Sequence, residues 1–282
     1  MSVFTIFAKR FIAGETKEEA FAAIRKLNEV GMKTSLDVLG ENVNSEKMAH
    51  ELADFYIKLI EDIFCQKLTA NVSIKLTQMG LDISDEFCFE NVSRIIEAAK
   101  VHNSFIRVDM EGSDYTERTL QLVHRWATKF DNIGTVIQAA LYRSAKDVDE
   151  LNRRKIKVRL CKGAYKEPAT AAFQKKDDVN ANYIELMKKL LDSGIFHSIA
   201  THYEAMIEAT KQYASEKGIG KDKFEFQMLF GINRSGQIRL VKEGYGMLIY
   251  VPFGTHWFPY YYRRLRERRE NVLFILKHLF KD

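Results

Sequence analysis

Charged and polar side chains punctuate short segments made otherwise of Val, Ile and Leu. Lys75 stands in NVSIKLTQMG, Arg107 and Asp109 in FIRVDMEGSDYTERT, and Gln138 in TVIQAALYR; Arg159 and Lys162 stand in VRLCKGAY, Thr201 and His202 in IATH, and Tyr250 in LIYVPFGTH. Any one of them alone reads as a solvated loop end or a satisfied hydrogen-bond partner. In apolar surroundings, though, so many polar groups would each need partners if they served stability alone, and one polar ligand that meets them all is the simpler account. A lysine on a strand suits Schiff-base chemistry. Lys75, Arg107, Arg159, Lys162, Arg263 and Arg264 outnumber Asp109 and Glu267, so the site favours an anion, either a carboxylate or a phosphate.

Two further segments sharpen this. KGAY after Cys161 places Gly163 and Ala164 beside Lys162, where backbone can approach a phosphate closely. Near the C-terminus, YYYRRLRERRE precedes NVLFILKHLF, whose apolar residues Val272, Leu273, Leu276, Leu279 and Phe280 recur at helical spacing and read as core packing. Arg263 and Arg264 would be separated by about 100° on that helix, so both can clamp one carboxylate lying between their directions. Glu267, one turn on, would orient a guanidinium or meet a substrate amine.

The elements that must position these residues alternate along the chain. Candidate strands lie at Thr34–Gly40, Asn71–Leu76, Phe105–Met110, Gly134–Ala140, Lys157–Lys162, His197–His202, Phe224–Leu229 and Met247–Phe253, with helical patterns between them. An N-terminal helix is signalled by the capping box Thr16-x-x-Glu19 ahead of Ala20, Ile24 and Leu27. Strand then helix, repeated about eight times, predicts an α/β protein of the closed parallel (βα)8 class, distorted by an N-terminal helical segment and by a C-terminal helix bearing the arginine pair. In such a barrel the chemistry gathers at the carboxyl ends of the strands, where the polar residues fall. VLGENVNSE after the first strand has one glycine and no dinucleotide fingerprint, and no Walker loop, HExxH or GxSxG occurs.

Composition narrows the class further. The 282 residues are 46% hydrophobic, hold three prolines and carry no Gly/Ser/Pro-rich linker, so one domain over 1–282 is expected. The net charge of +5 is spread over a mixed surface, which argues against a nucleic-acid face; a non-enzymatic nucleic-acid or membrane-surface binder using the basic C-terminus would leave the strand-end residues unexplained. Cys65, Cys88 and Cys161 form no metal-ligand or disulfide pattern, no metal is expected, and a reducing cytoplasm suits them. No apolar run reaches membrane-span length, and MSVFTIFAKRF lacks the core of a signal peptide.

Taken together, SIKLTQMGL, RVDMEGSDYTERTL, VIQAALYR, VRLCKGAYKEP, IATHYE, FEFQMLFGI, YVPFGTHW and YYYRRLRERREN resemble the FAD-dependent, bacterial-type proline dehydrogenases, over nearly the whole chain. The resemblance implies an L-proline site with Asp109 and Arg159 in catalytic positions and Lys75, Tyr250, Arg263, Arg264 and Glu267 on the substrate. It implies that Arg107, Met110, Gln138, Lys162, Gly163, Ala164, Thr201 and His202 lie along FAD. It also implies a quinone-type electron acceptor, weak contact at the inner face of a membrane, and a pyrroline-5-carboxylate dehydrogenase as metabolic successor. The residues leave a Schiff-base aldolase open as the alternative, and they leave Lys75 open as base or as binding charge, paired to Asp109. Ala140 departs from the tyrosine common in the family, and Leu248 from a basic residue.

Overall fold

The computed structural model describes residues 11–40 and 42–256. Arg263, Arg264, Glu267 and the C-terminal helix expected to carry them lie outside the described residues.

Helix α1 (Lys17–Glu29) begins at the expected capping box: Thr16 Oγ1 accepts the Glu19 amide at 3.3 Å, and Glu19 Oε2 accepts the Thr16 amide at 3.2 Å. Its buried face of Ala20, Phe21 and Ile24 packs against β1 and β8. From there strand and helix alternate: β1 (Lys33–Val38), α2 (Glu46–Cys65), β2 (Ala70–Ile74), a short 3-10 turn (Leu76–Met79), α3 (Asp85–Val101), β3 (Ile106–Val108), α4 (Ser113–Ala127) and β4 (Ile133–Gln138). The second half runs α5 (Ser144–Arg153), β5 (Lys157–Cys161), α6 (Lys176–Asp192), β6 (His197–Ala200), α7 (Glu204–Glu216), β7 (Phe224–Leu229), α8 (Arg234–Lys242) and β8 (Gly246–Phe253).

All strands pair in parallel with their chain neighbours, and β1 closes on β8 with Ser35 opposite Tyr250, so the sheet is the closed eight-stranded barrel that the alternation predicts. Seven of the eight predicted strands differ from the observed ones by a few residues at their ends, and Phe224–Leu229 coincides with β7. Overruns fall mainly at the carboxyl rim: the chain leaves the ladder at Ile74 rather than Leu76 because it turns at once into the 3-10 segment, and at Ala200 rather than His202.

Strand alternation sorts the side chains. In FEFQML of β7, Phe224, Phe226 and Met228 join the hydrophobic layer beneath the helices, which sends Glu225 and Gln227 into the barrel. The interior is therefore polar while the interlayer is built from Val, Ile, Leu and Phe.

Candidate active site

The lowest interior layer lies toward the amino ends of the strands. There the Arg107 guanidinium donates to the carbonyls of Thr135 at 2.9 Å and Lys157 at 2.8 Å. Gly134 makes room for it, since a Cβ there would stand 2.4 Å from Lys157 O and 2.7 Å from Arg107 Nη1. Burial, with the like charge of Arg159, pulls the Arg107 guanidinium down to about 9. His197 lies at the same end but on the other face of β6, toward the helices, its Nδ1 accepting the Val158 amide at 3.0 Å and its Nε2 paired with Ser193 Oγ at 3.0 Å. Burial, helped by Arg107, depresses that imidazole to about 3 and keeps it neutral.

Above this layer, Arg159 of β5 spans the barrel. Its Nη1 donates to Asp109 Oδ1 at 2.8 Å, its Nε to Gln227 Oε1 at 2.5 Å and its Nη2 to Ser73 Oγ at 3.1 Å. One side chain thus ties β2, β3, β5 and β7, and only a guanidinium has the donors and the planar fork to do so. Glu225 accepts from Ser198 Oγ at 3.0 Å and from Gln227 Nε2 at 2.7 Å, which orients the Gln227 carbonyl toward Arg159.

At the mouth, the Tyr250 hydroxyl donates to Asp109 Oδ2 at 2.6 Å, and the Arg159 guanidinium carbon lies 5.1 Å from the Tyr250 ring centroid. Lys75 Nζ donates to Asp37 Oδ1 at 2.5 Å. This corrects the pairing of Lys75 with Asp109 read from the sequence: Asp109 is held by Arg159 and Tyr250, and reaches Lys75 only as a second nearby carboxylate. Burial opposes the charged form of Lys75, yet Asp37 and Asp109 outweigh it and hold the ammonium above its ordinary range, the opposite of a lysine lowered by neighbouring cations. Burial raises the Asp37 carboxyl, and Lys75 offsets only part of that.

The rim beside β4, β5 and β6 carries the remaining sequence-predicted residues. Gln138 Nε2 donates to Glu111 O at 2.9 Å, while its Oε1 accepts the Ala164 amide at 3.4 Å. Gly163 has φ +114°, a conformation that suits glycine, and a Cβ there would come within 3.1 Å of Ala140 Cβ and 3.3 Å of Gln138 Oε1. Lys162 Nζ donates to Asn180 Oδ1 at 2.6 Å and lies 3.4 Å from the Tyr203 ring centroid. Thr201 Oγ1 accepts the Tyr203 amide at 3.1 Å, His202 Nε2 accepts the Leu229 amide at 2.9 Å, and Met110 is buried at the end of β3. A cation beside a glycine-permitted backbone suits a phosphate group.

The structure therefore brings Lys75, Asp109, Arg159 and Tyr250 together at the mouth, sets Gln138, Lys162, Gly163, Ala164, Thr201 and His202 along one side of it, and sends the Arg107 head group down toward the amino ends. Sequence reading missed Asp37, Ser73, Glu111, Glu225 and Gln227. The alternation in SLDV and FEFQML was the available signal for Asp37, Glu225 and Gln227, because a polar residue at every second position of a barrel strand faces inward. These carboxylates also correct the charge count: Asp37 answers Lys75 and Asp109 answers Arg159, so the described interior has no large cationic excess.

A family model described as proline dehydrogenase matches residues 20–277. The chain is 41% identical over 276 residues to proline dehydrogenase 2 of Bacillus subtilis, a match covering 98% of this chain and 91% of that one. It is 39% identical over 279 residues to the proline dehydrogenase of Deinococcus radiodurans, covering 97% and 90%. Its fold is similar to the crystal structure of proline utilization A (PutA) from Bdellovibrio bacteriovorus inactivated by N-propargylglycine, with a TM-score of 0.88 and 26% identity over 94% of this chain and 33% of that much longer one.

Proposed function

Because this chain belongs to the proline dehydrogenase family of oxidoreductases, we propose that it oxidises L-proline to Δ1-pyrroline-5-carboxylate with FAD, as one catalytic domain over residues 1–282, and passes the electrons to a quinone-type acceptor. The observation that carries the reading is the meeting of Lys75, Asp109, Arg159 and Tyr250 at one barrel mouth beside the Lys162–Gly163–Ala164 turn. When bound, FAD supplies the hydride acceptor, its N5 receiving hydride from proline C5.

The chain's own residues bind and orient. Tyr250 is pinned through its hydroxyl to Asp109, so its ring presents a fixed wall that limits the size of the substrate ring. Arg159 is locked by Asp109, Gln227 and Ser73, and it offers preorganised positive charge where the cofactor gains negative charge on reduction. Lys162 with the Gly163 and Ala164 backbone would hold the cofactor, with Met110, Gln138, Thr201 and His202 lining it and Arg107 contributing through its charge.

Since Lys75 and Arg159 already face carboxylates, the substrate carboxylate needs further cations. Arg263 and Arg264 follow the end of β8 by ten and eleven residues, a tether of at most about 35–40 Å, and we assign them to it with Glu267 beside them. A Schiff-base role for Lys75 would require a neutral amine, which the Asp37 carboxylate disfavours.

Among the described residues no helix is long and apolar enough to cross a membrane. Our reading includes a cytoplasmic protein that meets its quinone at the membrane surface, with a pyrroline-5-carboxylate dehydrogenase taking the product. One experiment tests the core of the reading: the purified protein shows flavin absorbance that L-proline bleaches without oxygen. A colourless protein that borohydride traps with a carbonyl compound would replace it by the aldolase chemistry.

A further inference from the structure

Asp37 is fully buried, and only one of its two carboxylate oxygens has a partner. Oδ1 receives Lys75 Nζ, whereas Oδ2 makes no hydrogen bond among the described residues. A buried carboxylate oxygen left unmatched costs free energy, and such sites persist where the group has work to do. The groups that face this pair come from four directions: Asp109 from β3, Tyr250 from β8 with its hydroxyl donating to Asp109 and close enough to Asp37 to favour its charged form, the Tyr56 hydroxyl from α2, and Arg159 from β5 behind Tyr250. Two carboxylates and one ammonium therefore stand together at the entrance to the barrel, and the ammonium is already saturated with protons.

Oxidation of a cyclic secondary amine needs one proton removed from the ring nitrogen so that its lone pair can expel hydride from the adjacent carbon. A charged Lys75 has no lone pair with which to take that proton. Resting on the proposed proline oxidation, we propose that Asp37 is a positioning residue that acts through Lys75 as the final proton acceptor. The substrate N–H bond breaks as a new Nζ–H bond forms, and in the same event the Nζ proton facing Asp37 passes to Oδ1. Lys75 ends as it began, an ammonium, and Asp37 ends as a neutral acid. With its nitrogen deprotonated the substrate can give up hydride from the adjacent carbon, which FAD, when bound, would accept as the carbon–nitrogen double bond forms, and Asp37 returns its proton to solvent once product departs. The raised proton affinity that burial gives Asp37 supports the direction of this transfer.

Anaerobic stopped-flow measurement of flavin reduction by L-proline across pH 6 to 10 tests this. Asp37→Asn is expected to slow reduction at neutral pH by about 100-fold or more, the usual worth of a positioned proton acceptor. Its rate should then climb with pH as Lys75, released from the carboxylate, loses its own proton and accepts directly; Asp37→Glu should restore speed and remove the climb. Lys75→Arg keeps both charges of the buried pair but puts a guanidinium in the path, and it is expected to keep proline binding while losing a similar factor in rate. A readout independent of turnover accompanies these: the stability deficit of Asp37→Asn relative to wild type should shrink from pH 7 to pH 10, because an unpaired buried lysine is penalised only while charged. Wild-type reduction rate and pH profile in Asp37→Asn overturn the proposal. Should that variant fail to fold, a wild-type rate in Lys75→Arg overturns it alone. A wild-type protein that L-proline does not bleach overturns the functional reading first, and this relay with it.

Discussion

Arg159 and Asp109 meet at 2.8 Å inside the barrel although fifty positions separate them in the chain, and both are nearly sealed from water. A charge pair so deep gains its stability only while both members are present, since the survivor of a deletion is left buried and unpaired. Arg159→Met should therefore cost about 3–5 kcal/mol in urea denaturation, well beyond an ordinary core change. In the same variant, flavin reduction by proline should slow more than proline binding weakens. A reduction rate equal to wild type would remove Arg159 from the proposed electrostatic role and leave it purely structural.

Tyr250 tests the same network from its other end. Its hydroxyl gives Asp109 a second charge-assisted bond at 2.6 Å, so Tyr250→Phe should lose about 1.5–3 kcal/mol of stability while leaving the ring in place. The proline KM of Tyr250→Phe should then change much less than that of Tyr250→Ala, because the proposed contact with substrate is made by the ring. Equal damage from both substitutions would show that the hydroxyl, through Asp109, is what matters.

How far the sequence revealed this arrangement depends on the range of each signal. Strand and helix periodicity is local, so all eight strands could be found, and β7 to the residue. Rim residues such as Lys75 stood out as isolated charges in apolar runs. The partner of Lys75 did not: Asp37 lies 38 positions away in a strand whose register against β2 is set by barrel closure, and Asp109, nearer in kind, was the natural guess. Arg107 was placed at the mouth for a related reason. It shares a strand end with Asp109, but its long side chain folds back to Thr135 O and Lys157 O, a choice allowed by the missing Cβ of Gly134 on the neighbouring strand.

That placement separates two roles for Arg107. If it fastens the base of the barrel, Arg107→Met strands two buried carbonyls and should cost about 1–3 kcal/mol for each, with FAD affinity of the folded fraction unchanged in equilibrium titration. Gly134→Ala attacks the same spot from the backbone side and should lower the denaturation midpoint without altering proline kinetics. FAD affinity that falls in Arg107→Met while stability holds would restore the cofactor role expected from the sequence.

His197 gives the amino end of the barrel a pH signature. In the folded protein its imidazole titrates at about 3, against about 6.5 when unfolded, so the unfolded chain binds the extra proton first. No stability is lost above pH 6.5. As pH falls from there toward 3, this one group should remove up to about 1.4 kcal/mol per pH unit, the slope of a single proton. His197→Asn, whose side-chain oxygen can accept the Val158 amide in place of Nδ1, should flatten that stretch of the stability curve. Parallel curves for variant and wild type would mean that the native imidazole takes up its proton as readily as the unfolded one.

The charge balance of the mouth makes the most demanding prediction. With Lys75 facing Asp37 and Arg159 facing Asp109, a proline carboxylate entering the described barrel alone would meet as much negative as positive charge. On the proposed reading its binding rests on Arg263 and Arg264, beyond β8. Replacing either by Met should raise the proline KM by a factor corresponding to about 2–5 kcal/mol, while FAD absorbance and the fold stay intact. Replacing Arg263 by Lys should recover only part of the loss, because an ammonium keeps the charge but gives up the two-pronged geometry. Proline kinetics that survive both single replacements unchanged would place the carboxylate on Lys75 or Arg159 and require one of their carboxylate partners to move aside.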